Sequence, residues 1–134
     1  MTAGKRQNIQ SSAPWEPLVG YSRAVRVGDH VFVSGSAAIS DDGELVGEGD
    51  AYAQASRCID VIRQSLGEAG ADMRHVVRTR IYVTDISRWE EIARAHHEGF
   101  GAAPPATAMV EVSKLIDPRM LVEIEATALI HDQQ

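Results

Sequence analysis

The ratio of strand patterns to helix patterns constrains the fold of this chain most. Five runs are typical of strands and two of helices, in the order strand, strand, helix, strand, helix, strand, strand. This order predicts an α+β fold with one mixed sheet and two helices on one face. Because there is no third helix, the other face must be either unusually polar or buried against another subunit. The apolar and mixed residues on both strand faces favour oligomerisation.

Alternating polarity and turn residues locate the strands. A hairpin is predicted where residues 21–27 and 30–35 flank the turn at Gly28 and Asp29. Further strands are predicted over residues 76–83, 107–112 and 120–130. In the first of these three strands, one face is expected to carry Val77, Thr79, Ile81 and Val83.

The two helices are predicted from apolar residues that recur at helical spacing. The first covers residues 51–66, and its apolar side is formed by Ala55, Ile59, Ile62 and Leu66. Cys58 lies beside them, a position that favours a buried structural thiol over a nucleophile. The second helix is predicted to begin at Ser87, with Glu90 completing a capping box, and to run toward Phe100.

The length of 134 residues suits a single domain, which we place at residues 18–134. Residues 1–17 are polar and contain Pro14 and Pro17, which predicts a flexible N-terminal arm. Trp15 lies within this arm. A tryptophan in such a position is expected to dock onto its own domain or onto a neighbouring subunit.

Charge and hydropathy argue against several classes of function. The net charge is −6 and no long basic run occurs, so nucleic acid is not an expected partner. No stretch approaches the roughly 18 apolar residues of a membrane span. Lys5 and Arg6 are not followed by an apolar segment, which argues against a secretory signal. A cytoplasmic protein is therefore expected.

No cofactor or metal is expected from the motifs. Cys58 is the single cysteine, which excludes an internal disulfide framework and a cysteine-rich zinc site. His96 and His97 are adjacent, so on a helix they point about 100° apart and cannot easily share a metal ion. The glycine-rich segments are typical of turns, and no phosphate-binding loop is present.

The carboxylates have two interpretations. Glu123 and Glu125 lie two residues apart on one strand face, and Glu111 lies on a strand that is expected nearby. Clustered carboxylates can act as a general acid and base, because their like charges separate their pKa values. Alternatively, they lie at a solvated edge or pair with arginines such as Arg78, Arg80, Arg23 or Arg26.

Several segments together resemble one known family, the reactive intermediate deaminase family, also called the YjgF type. The most specific segments are residues 105–115, PATAMVEVSKL, and 121–126, LVEIEA. Residues 20–25, GYSRAV, with 31–35, VFVSG, resemble the N-terminal hairpin of the family. Residues 81–85, IYVTD, resemble the end of its central strand. The resemblance covers nearly everything from Val19 to Ile130.

This resemblance implies a chorismate-mutase-like fold assembled as a homotrimer. The sheets of the three subunits would pack into a central barrel, with the helices outside and a small-molecule cleft between subunits. Active members of the family hydrolyse 2-imino or enamine acids to 2-keto acids and ammonia without cofactor or metal. A trimer would also bury the face of the sheet that the helices leave open.

The resemblance implies site residues one by one. Tyr21 matches the pocket tyrosine of the family, and Glu123 matches the glutamate that holds the attacking water. The arginine that binds the substrate carboxylate falls at Thr107, so this group is missing here. Met109 stands where many active members have a cysteine. Without an arginine at position 107, Glu123 is expected to lack a nearby cation. Arg23, two residues after Tyr21, is a hypothetical replacement for the missing arginine.

Two functions follow from this pattern. The chain is expected to be a cofactor-free hydrolytic deaminase of an imine or enamine other than the usual 2-imino acids. The alternative is a non-catalytic trimer that binds a small metabolite in its intersubunit cleft. A nuclease role, which some members of the family have been given, is disfavoured by the charge of −6.

Overall fold

A six-stranded mixed sheet forms the frame of the molecule. The structure is a computed structural model that describes residues 4–132. The strands follow the spatial order β1-β2-β3-β6-β4-β5, and all neighbours are antiparallel except the parallel pair β4 and β5. Their bounds are β1 Arg6–Ile9, β2 Ala24–Val27, β3 His30–Ser36, β4 Val76–Val83, β5 Ala106–Glu111 and β6 Val122–Leu129. The predicted α+β fold and the hairpin at Gly28 are confirmed.

Two long helices cover one face of this sheet. These are α2 Ala51–Glu68 and α3 Trp89–Phe100, and a short helix, α1 Trp15–Val19, precedes them in the chain. The apolar stripe of α2, which includes Ile62 and Leu66, packs against buried residues of β3 and β6 such as Val33 and Ile124. Asp50 caps α2 by accepting a hydrogen bond from the backbone of Ala53 at 2.9 Å.

Cys58 lies in this interface, as its helical position predicts. Its side chain is fully buried and its Sγ lies 3.7 Å from the carbonyl oxygen of Val122. Burial raises the pKa of the thiol far above its ordinary range. The interpretation of Cys58 as a structural thiol is therefore confirmed.

The opposite face of the sheet carries exposed apolar side chains. Phe32 of β3 is 50% exposed and Val110 of β5 is 47% exposed. On the same face, Tyr82 and Arg80 both contact the carboxylate of Glu125. This open face is thus mixed, and it is apolar enough to favour contact with another protein surface.

The N-terminal segment, for which we predict a flexible arm over residues 1–17, contains regular secondary structure. Arg6–Ile9 forms strand β1, which pairs with β2 from Arg6 opposite Val27 to Ile9 opposite Ala24. Ile9 is buried in the core, while its neighbours in β1 are exposed. A run with one apolar residue has no strand pattern of its own, so the open edge of β2 determines its conformation. Residues 1–3 of the predicted arm lie outside the described residues.

Two local predictions were wrong. A bulge between Val76 and Arg78 shifts the register of β4 against β6, so Val76 is buried and Val77 is 42% exposed. The capping box at Ser87 does not form. Instead, Asp85 accepts a hydrogen bond from the backbone of Ser87 at 3.1 Å and starts a short 3₁₀ turn, after which α3 begins at Trp89.

Candidate functional site

A cavity of about 680 Å³ opens beside the bulged end of β3. Its lining brings together several of the residues that the sequence singles out, among them Tyr21, Arg23, Glu123 and Glu125. The N-terminal segment, α2 and the loop after β5 supply other parts of its wall. A volume of this size is typical of sites that take a small organic ligand.

Glu123 lies on β6 between two buried residues, so its own side chain points to the open face. Its carboxylate lies against Gly35, where the pairing of β3 with β6 is interrupted between Val33 and Ser36. A Cβ atom at Gly35 would be 2.9 Å from Cδ of Glu123 and 3.2 Å from its Cγ. The site therefore requires a residue without a side chain at position 35.

The environment of Glu123 makes its carboxylate more basic. Burial raises the pKa of this carboxyl above its ordinary value, and the charge of Glu125 adds to the effect. The nearby Arg23 lowers the pKa and offsets part of this increase. A carboxylate with a raised pKa is a better proton acceptor at neutral pH than an ordinary glutamate.

Arg23 is the cation that supports this site. Its side chain is 8% exposed, and Nη2 donates a hydrogen bond to the carbonyl oxygen of Gly35 at 2.6 Å. Its Nε is buried and has no partner among the described residues. Burial lowers the pKa of the guanidinium, while the negative charges of Glu16 and Glu123 counteract this effect. The expectation that Glu123 lacks a nearby cation is therefore wrong.

Tyr21 follows directly on the end of the N-terminal segment. Its backbone N–H donates to the carbonyl oxygen of Glu16 at 3.0 Å, which fixes the start of the chain that leads into β2. Burial raises the pKa of the phenol, so the hydroxyl is protonated at neutral pH. Tyr21 can therefore offer a hydrogen-bond donor in the cavity.

Thr107 and Met109 lie elsewhere in the chain. Both are on the edge strand β5, and neither lines the cavity that contains Tyr21 and Glu123. The Thr107 Oγ1 is 2.8 Å from Oγ1 of the buried Thr79, which in turn is 2.9 Å from Nε2 of His96. Burial lowers the pKa of His96 and favours its neutral form. Within one chain, the structure does not bring these residues to the Glu123 site.

The other two carboxylates have structural partners. Glu125 accepts hydrogen bonds from the Tyr82 hydroxyl at 2.9 Å and from Arg80 at 3.3 Å. Glu111 accepts one from the backbone of Ile86 at 3.0 Å. The ion-paired interpretation therefore applies to Glu125, although this residue also lines the cavity beside Glu123.

The sequence did not indicate the N-terminal wall of the cavity. Ser11 to Trp15 line one side, and Leu115 and Ile116 line another. Only the isolated Trp15 in a polar segment signalled a contact, and the structure places its half-buried side chain in this wall. Among residues 4–132, no cluster of histidine, cysteine and acidic side chains is arranged to hold a metal ion. In the same range, every helix is too short or too polar to cross a membrane.

Comparison with known sequences identifies a family model and relatives that match most of the chain. A family model described as Endoribonuclease L-PSP matches residues 10–130. An uncharacterized protein of Streptomyces coelicolor is 36% identical over 128 residues, which cover 96% of this chain and 95% of that protein. The protein of Acinetobacter baylyi named 3-aminoacrylate deaminase RutC is 30% identical over 112 residues, covering 84% of this chain and 88% of that protein.

Solved structures show the same fold. A member of the YjgF/YER057c/UK114 family from Mycobacterium tuberculosis matches with a TM-score of 0.86 and 48% identity, covering 94% of this chain and 100% of that chain. RidA from the Antarctic bacterium Psychrobacter sp. matches with a TM-score of 0.82 and 32% identity, covering 92% and 99%. The fold that surrounds the cavity is therefore shared with these proteins.

Proposed function

The chain belongs to the Endoribonuclease L-PSP family, which includes the YjgF and RutC proteins, and on this premise we propose that it is a cofactor-free hydrolytic deaminase. Its substrate is an imine or enamine other than the usual 2-imino acids. The observation that carries the proposal is the Glu123 carboxylate, made more basic by burial and directed into the cavity that also contains Tyr21. The relative named 3-aminoacrylate deaminase supports this class of reaction.

The proposed reaction needs only water and these side chains. Glu123 accepts a proton from water as the water oxygen bonds to the carbon of the C=N group, and it passes that proton to the nitrogen, which gives a carbinolamine. Glu123 then accepts the hydroxyl proton of the carbinolamine and delivers it to the nitrogen as the C–N bond breaks, so that ammonia leaves and Glu123 is again a carboxylate. The products are one carbonyl compound and one ammonia. The protonated phenol of Tyr21 orients the substrate by donating a hydrogen bond.

Thr107 supports the choice of substrate. The family resemblance implies an arginine at this position as the partner of a substrate carboxylate, and a threonine offers one uncharged hydroxyl. That hydroxyl already contacts Thr79 and the carbonyl oxygen of Pro105 at 3.3 Å. Arg23 does not replace this arginine, because it is buried and its Nη2 is already hydrogen-bonded to Gly35. We therefore assign Arg23 to positioning Gly35 and balancing the charge of Glu123.

We further propose that the chain forms a homotrimer through the open face of the sheet. Phe32 and Val110 are exposed on that face, and burying them against identical copies would stabilise the assembly. A neighbouring copy would also bring its edge strand β5, which carries Thr107 and Met109, to the border of the cleft. Sedimentation should give three times the chain mass of 14.5 kDa, and Phe32→Glu should shift the protein to smaller species. A cytoplasmic location is compatible with the single reduced cysteine.

The second candidate is a non-catalytic binding trimer in the same cleft. The observation that favours it is Thr107, because the loss of a substrate-binding cation weakens the case for turnover. A binding protein would show saturation by a ligand without release of products.

The experiment compares two freshly generated imines with and without the protein. An amino-acid oxidase supplies 2-iminobutyrate, and an amine oxidase supplies an imine that lacks a carboxylate. Semicarbazide traps the remaining imine, so hydrolysis above the spontaneous rate measures activity. We expect the wild type to accelerate hydrolysis of the uncharged imine and to act poorly on 2-iminobutyrate, and Thr107→Arg to improve the latter. Acceleration of neither imine by the wild type would contradict a deaminase that acts on uncharged imines.

A further inference from the structure

The outer wall of the cavity presents apolar side chains to solvent. Val19 is 70% exposed and Ile116 is 62% exposed, and both line the cavity with the half-buried Trp15 and Leu115. Exposed apolar residues are common when scattered singly, but several in one concave surface mark a binding site. These four residues, Trp15, Val19, Leu115 and Ile116, form what we call the apolar wall.

Two elements distant in sequence supply this wall. Trp15 and Val19 are the first and last residues of α1, and positions i and i+4 share one side of a helix. Leu115 and Ile116 belong to the loop between β5 and β6. Their presence in one cavity is a property of the folded chain, because about a hundred residues separate them.

The backbone of Trp15 is fixed close to the reactive end of the cavity. The adjacent Glu16 is 2% exposed, and its carboxylate accepts hydrogen bonds from the backbone and the hydroxyl of Ser11, the former at 2.9 Å. Its carbonyl oxygen accepts from Gly20 at 2.8 Å and from Tyr21 at 3.0 Å. These hydrogen bonds connect the segment that carries Trp15 to the segment that carries Tyr21. The distance between the apolar wall and the Tyr21 side chain is therefore defined by the fold.

The volume of the cavity also exceeds what the smallest imines need. A cavity of about 680 Å³ lies within the range that holds drug-sized ligands, so a four-carbon imine would fill only a small part of it. A small substrate would leave the apolar wall in contact with water. A larger substrate would remove that surface from water and gain affinity.

We propose that the substrate is an amphiphile whose aromatic or branched aliphatic tail packs on the apolar wall while its C=N group lies at Glu123. The occupant is a small molecule because the wall is continuous with the lining that contains Glu123 and Tyr21 in one cavity. Trp15 supplies a flat aromatic surface for the tail, and the aliphatic residues close the space around it. This inference rests on the proposed deaminase function for the identity of the polar group.

The test measures binding of two stable carbonyl products, so it does not depend on turnover. Butan-2-one and 4-phenylbutan-2-one share the same carbonyl group and differ in the phenyl tail. Trp15 and Trp89 are the two tryptophans of the chain, and Trp89 lies on α3 outside the cavity lining. In Trp89→Phe protein, tryptophan emission therefore reports on Trp15 alone. Calorimetry on the wild type provides an independent affinity.

The proposal predicts that the phenyl ketone binds at least about tenfold more tightly than butan-2-one and quenches Trp15 emission. Trp15→Ala and Ile116→Ser should each reduce this ratio to about threefold or less, whereas Trp89→Phe should preserve it. Both test positions are partly or largely exposed, so the variants should fold, and their unfolding midpoints check this.

Equal affinity for the two ketones in the wild type would overturn the inference, as would a ratio that survives in both Trp15→Ala and Ile116→Ser. A tail preference in a protein that hydrolyses no imine would support this inference and remove the deaminase proposal. Hydrolysis of imines by a protein that shows no preference for the tail would support the deaminase proposal and contradict this inference.

Discussion

The Glu123 carboxylate occupies the space that a side chain at Gly35 would fill. A Cβ at Gly35 would lie 2.9 Å from Cδ of Glu123, closer than such atoms approach in folded proteins. The carbonyl oxygen of the same glycine accepts the hydrogen bond from Arg23. Gly35 therefore connects the acid and its supporting cation, and it fixes where the carboxylate lies in the cavity.

Gly35→Ala should reduce activity on the best imine substrate by about 100-fold, because displacement of a reacting group by about 1 Å has effects of this size. The loss should fall mainly on kcat. Stability should change little, since Gly35 does not have a positive φ angle and the end of the glutamate side chain can move. The matched control is Gly67→Ala in α2, where no atom lies within 4 Å of the new Cβ. That variant should retain activity and gain about 0.5–1 kcal/mol of stability. Full activity in Gly35→Ala would contradict the proposed geometry.

The pH dependence of activity should reflect the raised pKa of Glu123. Activity needs the carboxylate form, so kcat should fall as pH decreases through a pKa above the ordinary 4.5 of a glutamate. The folded protein also holds this proton to a higher pH than the unfolded chain. The free energy of unfolding should therefore decrease as pH rises from the ordinary to the raised pKa. Urea unfolding between about pH 4 and pH 7 should show a weaker decrease in Glu123→Gln than in the wild type. The same slope in both proteins would argue against a shifted Glu123.

Thr79→Val should destabilise the protein by about 1 kcal/mol, although valine has nearly the same shape. Thr79 is fully buried, and its hydroxyl links His96 to Thr107. Removing it leaves Nε2 of His96 without its partner in a half-buried position. Thr107→Val is the control, because Thr107 is exposed on the edge strand and its loss should change stability by less than about 0.5 kcal/mol. Equal losses in the free energy of unfolding for the two variants would show that the Thr79 hydroxyl contributes no more to stability than the Thr107 hydroxyl.

Cys58 should not react with thiol reagents in the folded protein. It is fully buried and its pKa is raised by burial, so thiolate is scarce and inaccessible. A disulfide reagent at mildly alkaline pH should label the thiol only at the rate of unfolding, and urea should make labelling immediate. Rapid labelling of the native protein would contradict the position of Cys58 between α2 and β6.

The sequence predicts those parts of the fold where local pattern and tertiary environment agree. Strand β4 was predicted over the residues that form it, Val76–Val83, because most of its residues alternate between a buried and an open face. The bulge that reverses Val77 could not be predicted, since it arises from pairing with β6. Strand β1 forms for a similar reason. Its polar residues complete the edge of β2, and only Ile9 contributes to the core.

The candidate site was predictable in part. Tyr21 and Glu123 are marked by the family resemblance, and the structure places both in one cavity. The supporting role of Arg23 depends on its contact with Gly35, which is distant in sequence. The separation of Thr107 from Glu123 depends on the parallel pairing of β5 with β4, which places Thr107 opposite Thr79. Such relationships follow from the order of strands in the sheet and leave no local pattern.

The most direct test of Glu123 as the general base compares ammonia release by the Glu123→Gln and Glu125→Gln variants, with the imine that the wild type hydrolyses best as substrate. The two residues lie two positions apart on β6 and both line the cavity, but Glu125 is paired with Tyr82 and Arg80 while burial raises the pKa of Glu123. We predict that Glu123→Gln loses about 10²–10⁴-fold in rate, as expected for removal of a general base, and that Glu125→Gln retains most of it. A Glu123→Gln protein as active as the wild type would contradict the account.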